Sequence, residues 1–205
     1  MKKYIFSLVL LLSAMTTRAQ DEIVVNYLGP RPGIVDFVNA ILSQEDLGES
    51  LGFVADNWER LRSGWTLGEG VTFMTDAPNG YARFDYNDED GGHGYTEFCY
   101  WNCSDGLHKL VGVNTGYTLH GKPIETECTG LEFYTYENRS RTMTSTSVYD
   151  LGCRVQVTPP VSYELPRKGK DIKATIHDER QKVHIVMKWN GSKFNQEQVQ
   201  NRSGR

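Results

Sequence analysis

The sequence predicts an α+β fold: an N-terminal antiparallel helix pair laid on one face of a curved, mainly antiparallel β-sheet. A partly closed β-barrel is the alternative. Three observations carry this prediction. Apolar residues recur at helical spacing only ahead of residue 63. From Val71 onward the apolar period becomes two. Gly-, Asn- and Pro-containing turn signals then punctuate the chain at short intervals. With the helices gathered at the front rather than interleaved among strands, a parallel sheet of βαβ units is excluded.

The first element is an export signal. Lys2 and Lys3 precede an apolar run from Tyr4 to Met15, and Thr17-Arg18-Ala19 places small residues at the −3 and −1 positions. This is the pattern of a secretory signal peptide over residues 1–19, cleaved after Ala19. The apolar run is too short to cross a bilayer at 1.5 Å per residue. No cysteine follows it to accept lipid. The mature chain is therefore expected in the periplasm or outside the cell, with no membrane anchor. Cleavage removes three cations and no acid, so a formal charge of −4 becomes three units more negative. An acidic chain without a Lys/Arg cluster carries no electrostatic footprint for nucleic acid. One α+β domain is expected over 20–194, followed by a polar, disordered tail over 195–205.

Two helices come next. Ile34, Val35, Phe37, Val38, Ile41 and Leu42 form one apolar stripe after Pro30-Arg31-Pro32-Gly33. Ser43-Gln44-Glu45-Asp46 has the form of a capping box for a second helix, along which Leu47, Leu51, Val54, Trp58 and Leu61 make a narrow seam. Ser63-Gly64 stops it.

Strands are predicted at 71–76, 80–87, 94–101, 108–117, 130–137, 141–147, 153–157, 161–166, 171–178 and 182–189. Ala82, Phe84 and Tyr86 alternate with Arg83 and Asp85, and Ile172, Ala174 and Ile176 alternate with Lys173, Thr175 and His177. Such alternation describes strands with one buried and one wet face.

Cys99, Cys103, Cys128 and Cys153 are an even set in an oxidising compartment, so two disulfides are expected. The spacings lack the paired C-x2-C knuckles of a four-thiolate metal site. On a continuous strand Cys99 and Cys103 would stand about 13 Å apart, too far to bond. Connectivity is one of three possibilities: the turn-rich Asn102-Cys103-Ser104-Asp105-Gly106 suggests a strand that ends early, which keeps a local 99–103 bridge open, with 128–153 then closing a longer loop.

Two stretches carry a resemblance. Tyr163-Glu164-Leu165-Pro166-Arg167-Lys168-Gly169-Lys170-Asp171-Ile172, running on to Lys188-Trp189-Asn190-Gly191-Ser192-Lys193-Phe194, is one, and Gly130-Leu131-Glu132-Phe133-Tyr134-Thr135-Tyr136-Glu137-Asn138 is the other. Both are similar to segments of small, uncharacterised exported proteins of Gram-negative gut-type bacteria, a domain of unknown function. The resemblance implies an exported β-rich domain and assigns no functional residue.

Chemistry-bearing patterns are sparse. Asp85-Tyr86-Asn87-Asp88-Glu89-Asp90-Gly91-Gly92 has clustered oxygens, but no register meets EF-hand spacing, and a hairpin loop explains the same residues. His177 and His184 would face each other across a two-residue Arg180-Gln181 loop, making a weak metal candidate without a third ligand. There is no G-x-S-x-G elbow and no H-E-x-x-H helix, and no catalytic residue or cofactor is assigned. Trp101, Tyr134 and Tyr136 lie in an aromatic-rich middle section, where an exposed sheet face would stack on a sugar or a partner. The functional expectation is an exported binding module for a glycan, peptide or protein ligand. An extracellular metal-independent hydrolase is the alternative.

Overall fold

The computed structural model describes residues 22–45, 47, 49–63, 70–124, 130–153, 155, 160–178 and 182–199. The expected signal peptide and Cys128 lie outside these residues.

Chain order is β1 (Ile23–Val24), α1 (Ile34–Leu42), α2 (Glu49–Arg62), β2 (Val71–Asp76), β3 (Tyr81–Asn87), β4 (Gly92–Asn102), β5 (His108–Leu119) and β6 (Lys122–Pro123). There follow β7 (Gly130–Glu137), β8 (Thr142–Thr146), β9 (Val161–Glu164), β10 (Ile172–His177), β11 (Lys182–Trp189) and β12 (Phe194–Val199). The α+β prediction holds. Two helices cover a curled, antiparallel half-barrel of eight strands ordered β1-β8-β7-β5-β4-β3-β2, with β6 on β5. The sequence did not anticipate a separate second sheet, β12-β11-β10-β9, on the other face.

Each layer follows from its side chains. Helix α1 starts where Asp36 Oδ2 reaches back to accept the Gly33 amide at 2.8 Å. Ser43 does not open the second helix as the capping-box reading expected. Its hydroxyl donates to Ala40 O at 2.8 Å and its amide to Asn39 O at 3.1 Å, so it closes α1. Ser, whose side chain competes for nearby backbone groups, serves either helix end. The stripe of α1 and the seam of α2 bury Phe37, Val38, Ile41, Val54 and Trp58 against Ala82, Phe84, Phe98, Val111 and Tyr136 of the large sheet. Phe37 meets Tyr136 edge-on, ring centroids 5.2 Å apart.

Strand parity decides what faces the second sheet. Tyr81, Cys99, Gly112 and Phe133 lie side by side across β3, β4, β5 and β7. They join Trp101, Leu110, Ile172, Met187, Trp189 and Phe194 in a second apolar cluster between the sheets. The large sheet is thus buried on both faces, and its predicted wet face exists only in part.

Of the tail expected over 195–205, Asn195–Val199 is strand and the rest lies outside the described residues. Asn190 Oδ1 accepts the Ser192 and Lys193 amides at 3.0 Å each, turning the chain so that Phe194–Val199 pairs with β11. Lys188 and Glu197 add an exposed ion pair at 2.7 Å. The strand is polar because it is a sheet edge, where polar residues discourage unwanted pairing; composition alone made it read as a tail. Of the strand expected at 153–157, Cys153 and Val155 are not in a strand and the other three residues lie outside the described set.

Gly152 makes a testable joint between the layers. Its φ is +73°, and a Cβ there would sit 2.4 Å from Phe194 O, next to the bond by which the Phe194 amide donates to Leu151 O at 2.8 Å. The clashing atom is backbone, so Gly152→Ala should cost about 2 kcal/mol or more. At about 2–4 °C per kcal/mol for a domain of this size, the melting temperature should fall by at least about 4 °C. An unchanged melt would show that the joint adapts.

Candidate functional site

The aromatic face expected from Trp101, Tyr134 and Tyr136 does not form. Trp101 points between the two sheets, is 4% exposed, and donates its indole N–H to Lys170 O at 2.8 Å. Tyr136 points to the opposite face of the large sheet, is fully buried beneath α1, and donates its hydroxyl to Tyr27 Oη at 3.3 Å. Tyr134 shares that second face, half-buried, with its hydroxyl donating to Glu132 at 3.0 Å. Covering both faces of the sheet makes Trp101 and Tyr136 core and leaves Tyr134 half-buried.

The histidine pair is also separated. The sheet pairs His177 with Lys182 and Thr175 with His184, two residues away from the expected register. Arg180-Gln181 supplies no residue suited to the left-handed backbone of a two-residue turn, so pairing ends earlier. His177 instead contacts Ser162 Oγ at 2.8 Å, and His184 contacts Thr175 Oγ1 at 3.1 Å, both on the outer face of the small sheet. Burial first, then Lys182 and His184, lower the pKa of His177. Among the described residues no cluster of three metal-ligating side chains forms.

In the acidic stretch, Asp88 uses its oxygens locally. Oδ1 accepts the Asp90 and Gly92 amides at 3.0 and 2.6 Å, and Oδ2 accepts the Tyr117 hydroxyl at 2.5 Å.

Among the described cysteines there is no disulfide. Cys99, Cys103 and Cys153 are free thiols. The local 99–103 bridge fails because β4 continues through Cys99 to Asn102, and an extended strand keeps the pair apart. Burial raises the pKa of all three, that of Cys153 to about 12; Cys99 and Cys153 sit in the core, whereas Cys103 is half-buried and its thiol is raised by Asp105 as well.

Two polar constellations stand out that periodicity had not revealed. The first lies between the sheets. Glu97, 3% exposed, accepts the Tyr81 hydroxyl at 2.7 Å and Arg83 Nη1 at 3.0 Å on one oxygen. Its other oxygen accepts Asn114 Nδ2 at 2.7 Å and the Leu165 amide at 3.1 Å. Asn114 also donates to Tyr163 O at 2.8 Å. Every lone-pair direction of the carboxylate is occupied from within, which suits a strut joining the sheets and leaves no room for substrate.

The second is a cleft at one end of the half-barrel. One wall is the Tyr27–Arg31 segment between β1 and α1. The other is made by the β4–β5 turn, Cys103–Leu107, and the β7–β8 turn, Asn138–Arg141, which are tied together where the Asn138 amide donates to Leu107 O at 3.0 Å. Two adjoining hollows share Tyr27 and Arg31. One, about 660 Å³, is lined by Leu28, Asp36 and Arg141, and the other, about 460 Å³, by Asn102, His108 and Lys109. Both lie in the size range of small-ligand pockets.

The charge in this cleft is unbalanced. Lys109, only 7% exposed, donates to Asn102 Oδ1 at 2.5 Å and sits 4.6 Å over the Tyr100 ring. Among the described residues no carboxylate pairs with Lys109 or Arg31. Burial, and then the charge of Arg31, lower the Lys109 pKa. Arg141 lies 4.7 Å over the Tyr27 ring. Asp36, lining the cleft, is engaged by the Gly33 amide. Asp105, nearby, is held at about 2 by His108, whose Nδ1 lies at 2.7 Å, and by the Leu107 and His108 amides.

No family model, curated protein or solved structure matches this chain.

The site therefore rests on its own geometry. Sequence reasoning missed it because its cations are 31, 109 and 141, far apart in the chain and never a run. One signal was available. Lys109 directly precedes the apolar run Leu110-Val111-Gly112-Val113, where a buried charged residue is unusual unless it is paired or has a task.

Proposed function

We propose that the protein is an exported binding module whose ligand is anionic and sits in the cleft between the Tyr27–Arg31 segment and the β4–β5 turn. The observation that carries this reading is Lys109. A buried ammonium is normally paired with a carboxylate, because leaving water uncompensated is costly. Here a second cation, Arg31, shares the same hollow in place of an acid, on a chain whose net charge is −4. A bound anion supplies the missing counter-charge. A buried cation at a concave surface, its pKa lowered by burial and by Arg31, points the same way. The burial of Trp101 and Tyr136 argues against recognition by sugar stacking, so of the expected partner classes an acidic peptide is favoured over a neutral glycan, and a small acid, not among those classes, fits as well. Export itself rests on residues 1–19.

Lys109→Met tests the reading through stability. Replacing an uncompensated buried cation with an isosteric apolar residue should leave stability unchanged or raise it by about 1–2 kcal/mol. The wild-type protein should gain thermal stability from millimolar acetate, phosphate or glucuronate in at least one case, as mass action requires of a ligand that binds only the folded state. The variant should lose that gain. A variant that is clearly less stable, or that responds to each anion as the wild type does, would assign Lys109 to the scaffold and remove the proposal.

A further inference from the structure

The ligand class can be narrowed, on the premise that the cationic cleft is the binding site. We infer that the cleft receives a carboxylate attached to an aliphatic group, as at the C-terminus of a peptide ending in an apolar residue or in a free aliphatic acid.

Three observations lead there. Arg31 contributes a planar guanidinium, whose paired N–H groups match the two oxygens of a carboxylate, while Lys109 contributes a compact point charge beside it. The ammonium of Lys109 can only donate, so it fixes the Asn102 carboxamide with Oδ1 toward itself. That leaves Asn102 Nδ2, which has no acceptor among the described residues, as a third donor lining the hollow. The second observation is the rim. Leu28 is fully exposed on one wall, and Leu107, between the lining residues Gly106 and His108, is 62% exposed on the other. Two large aliphatic side chains flanking a cationic floor suit a ligand that is charged at one end and apolar at the other. The third is the fate of the rings. Arg141 covers one face of Tyr27 and Lys109 one face of Tyr100, so the ring faces that carry these cations are not free to stack on a pyranose.

The test is calorimetric titration of the purified protein with N-acetyl-alanyl-leucine, its C-terminal amide, octanoate and methylphosphonate. The peptide acid or octanoate should bind, and whichever of the two binds more tightly identifies the source of the carboxylate. The peptide amide should bind at least about tenfold more weakly than the acid, the loss of one charge-assisted pair. Arg31→Lys, which keeps the charge and removes the fork, should weaken the acid several-fold at unchanged melting temperature, and Leu28→Asp should do the same. Equal binding of acid and amide would overturn the inference, as would methylphosphonate binding as tightly as the acids. In the methylphosphonate case an anion still binds through Lys109, so the cleft reading survives the loss of its carboxylate refinement. If no anion binds at all, both fall together.

Discussion

Glu97→Ala is expected to lower the stability of the folded protein by about 3–5 kcal/mol, the cost of removing one partner from a buried charged network. At about 2–4 °C per kcal/mol this is a fall of roughly 10 °C in melting temperature. The magnitude follows from what would be stranded. Tyr81 Oη, Arg83 Nη1, Asn114 Nδ2 and the Leu165 amide all donate to this carboxylate, and the first three come from the large sheet whereas the last belongs to the segment leaving β9. Arg83 keeps Asp85, with Nη2 to Oδ1 at 2.7 Å, so it would not be left wholly unpaired. Asn114 Nδ2 likewise keeps its bond to Tyr163 O, whereas the Tyr81 hydroxyl and the Leu165 amide would face a cavity. Glu97→Gln keeps the shape but turns an amide donor toward at least one existing donor, so it should lie between wild type and alanine. Chemical denaturation of the two variants decides the matter. A loss below about 1 kcal/mol in Glu97→Ala would mean that water enters between the sheets and replaces the carboxylate.

Trp101→Ala is expected to cost about 3–5 kcal/mol as well, through lost packing rather than lost charge. The indole lies 5.3 Å from the Phe194 ring and 6.1 Å from both Trp189 and Phe133, so its removal opens a cavity where the two sheets meet. The Lys170 carbonyl loses its donor in the same change. Trp101→Phe should recover most of the volume but not the hydrogen bond, at about 1–2 kcal/mol. Because Trp101 points away from the cleft floor, neither change should alter anion affinity in protein that remains folded. Unchanged stability together with weakened ligand binding would restore this tryptophan as a binding residue.

The elements that were legible from the chain are those whose signal is local. Phe37, Val38 and Ile41 mark α1, and Leu51, Val54 and Trp58 mark α2, because a helix repeats its buried face within a few residues. Strands β7 and β11 begin and end where alternation and turn residues place them. The misreadings concern pairing and layers. Ser43 obeys the same local chemistry at a helix end as at a helix start. His177 and His184 were displaced by one change in hairpin connection. Asn195 to Val199 look like solvated tail because an edge strand is kept polar.

The sequence by itself determined that both helices precede the strands from Val71 onward, though not the short β1 ahead of them, that the strands pair antiparallel, and which residues of each strand share a face. These follow from periods of 3.6 and two and from turn chemistry, which need no knowledge of distant chain. Only the tertiary structure decided what lies over each face. The small sheet turned Arg83, Glu97 and Asn114 from a predicted wet face into an internal strut, and buried Trp101 with them. The folding of the Tyr27–Arg31 segment over two hairpin turns set Arg31 beside Lys109 without an acid between them. Alternation says that neighbouring side chains point opposite ways; it carries no information about which side will meet water, because that depends on residues brought in from elsewhere in the chain.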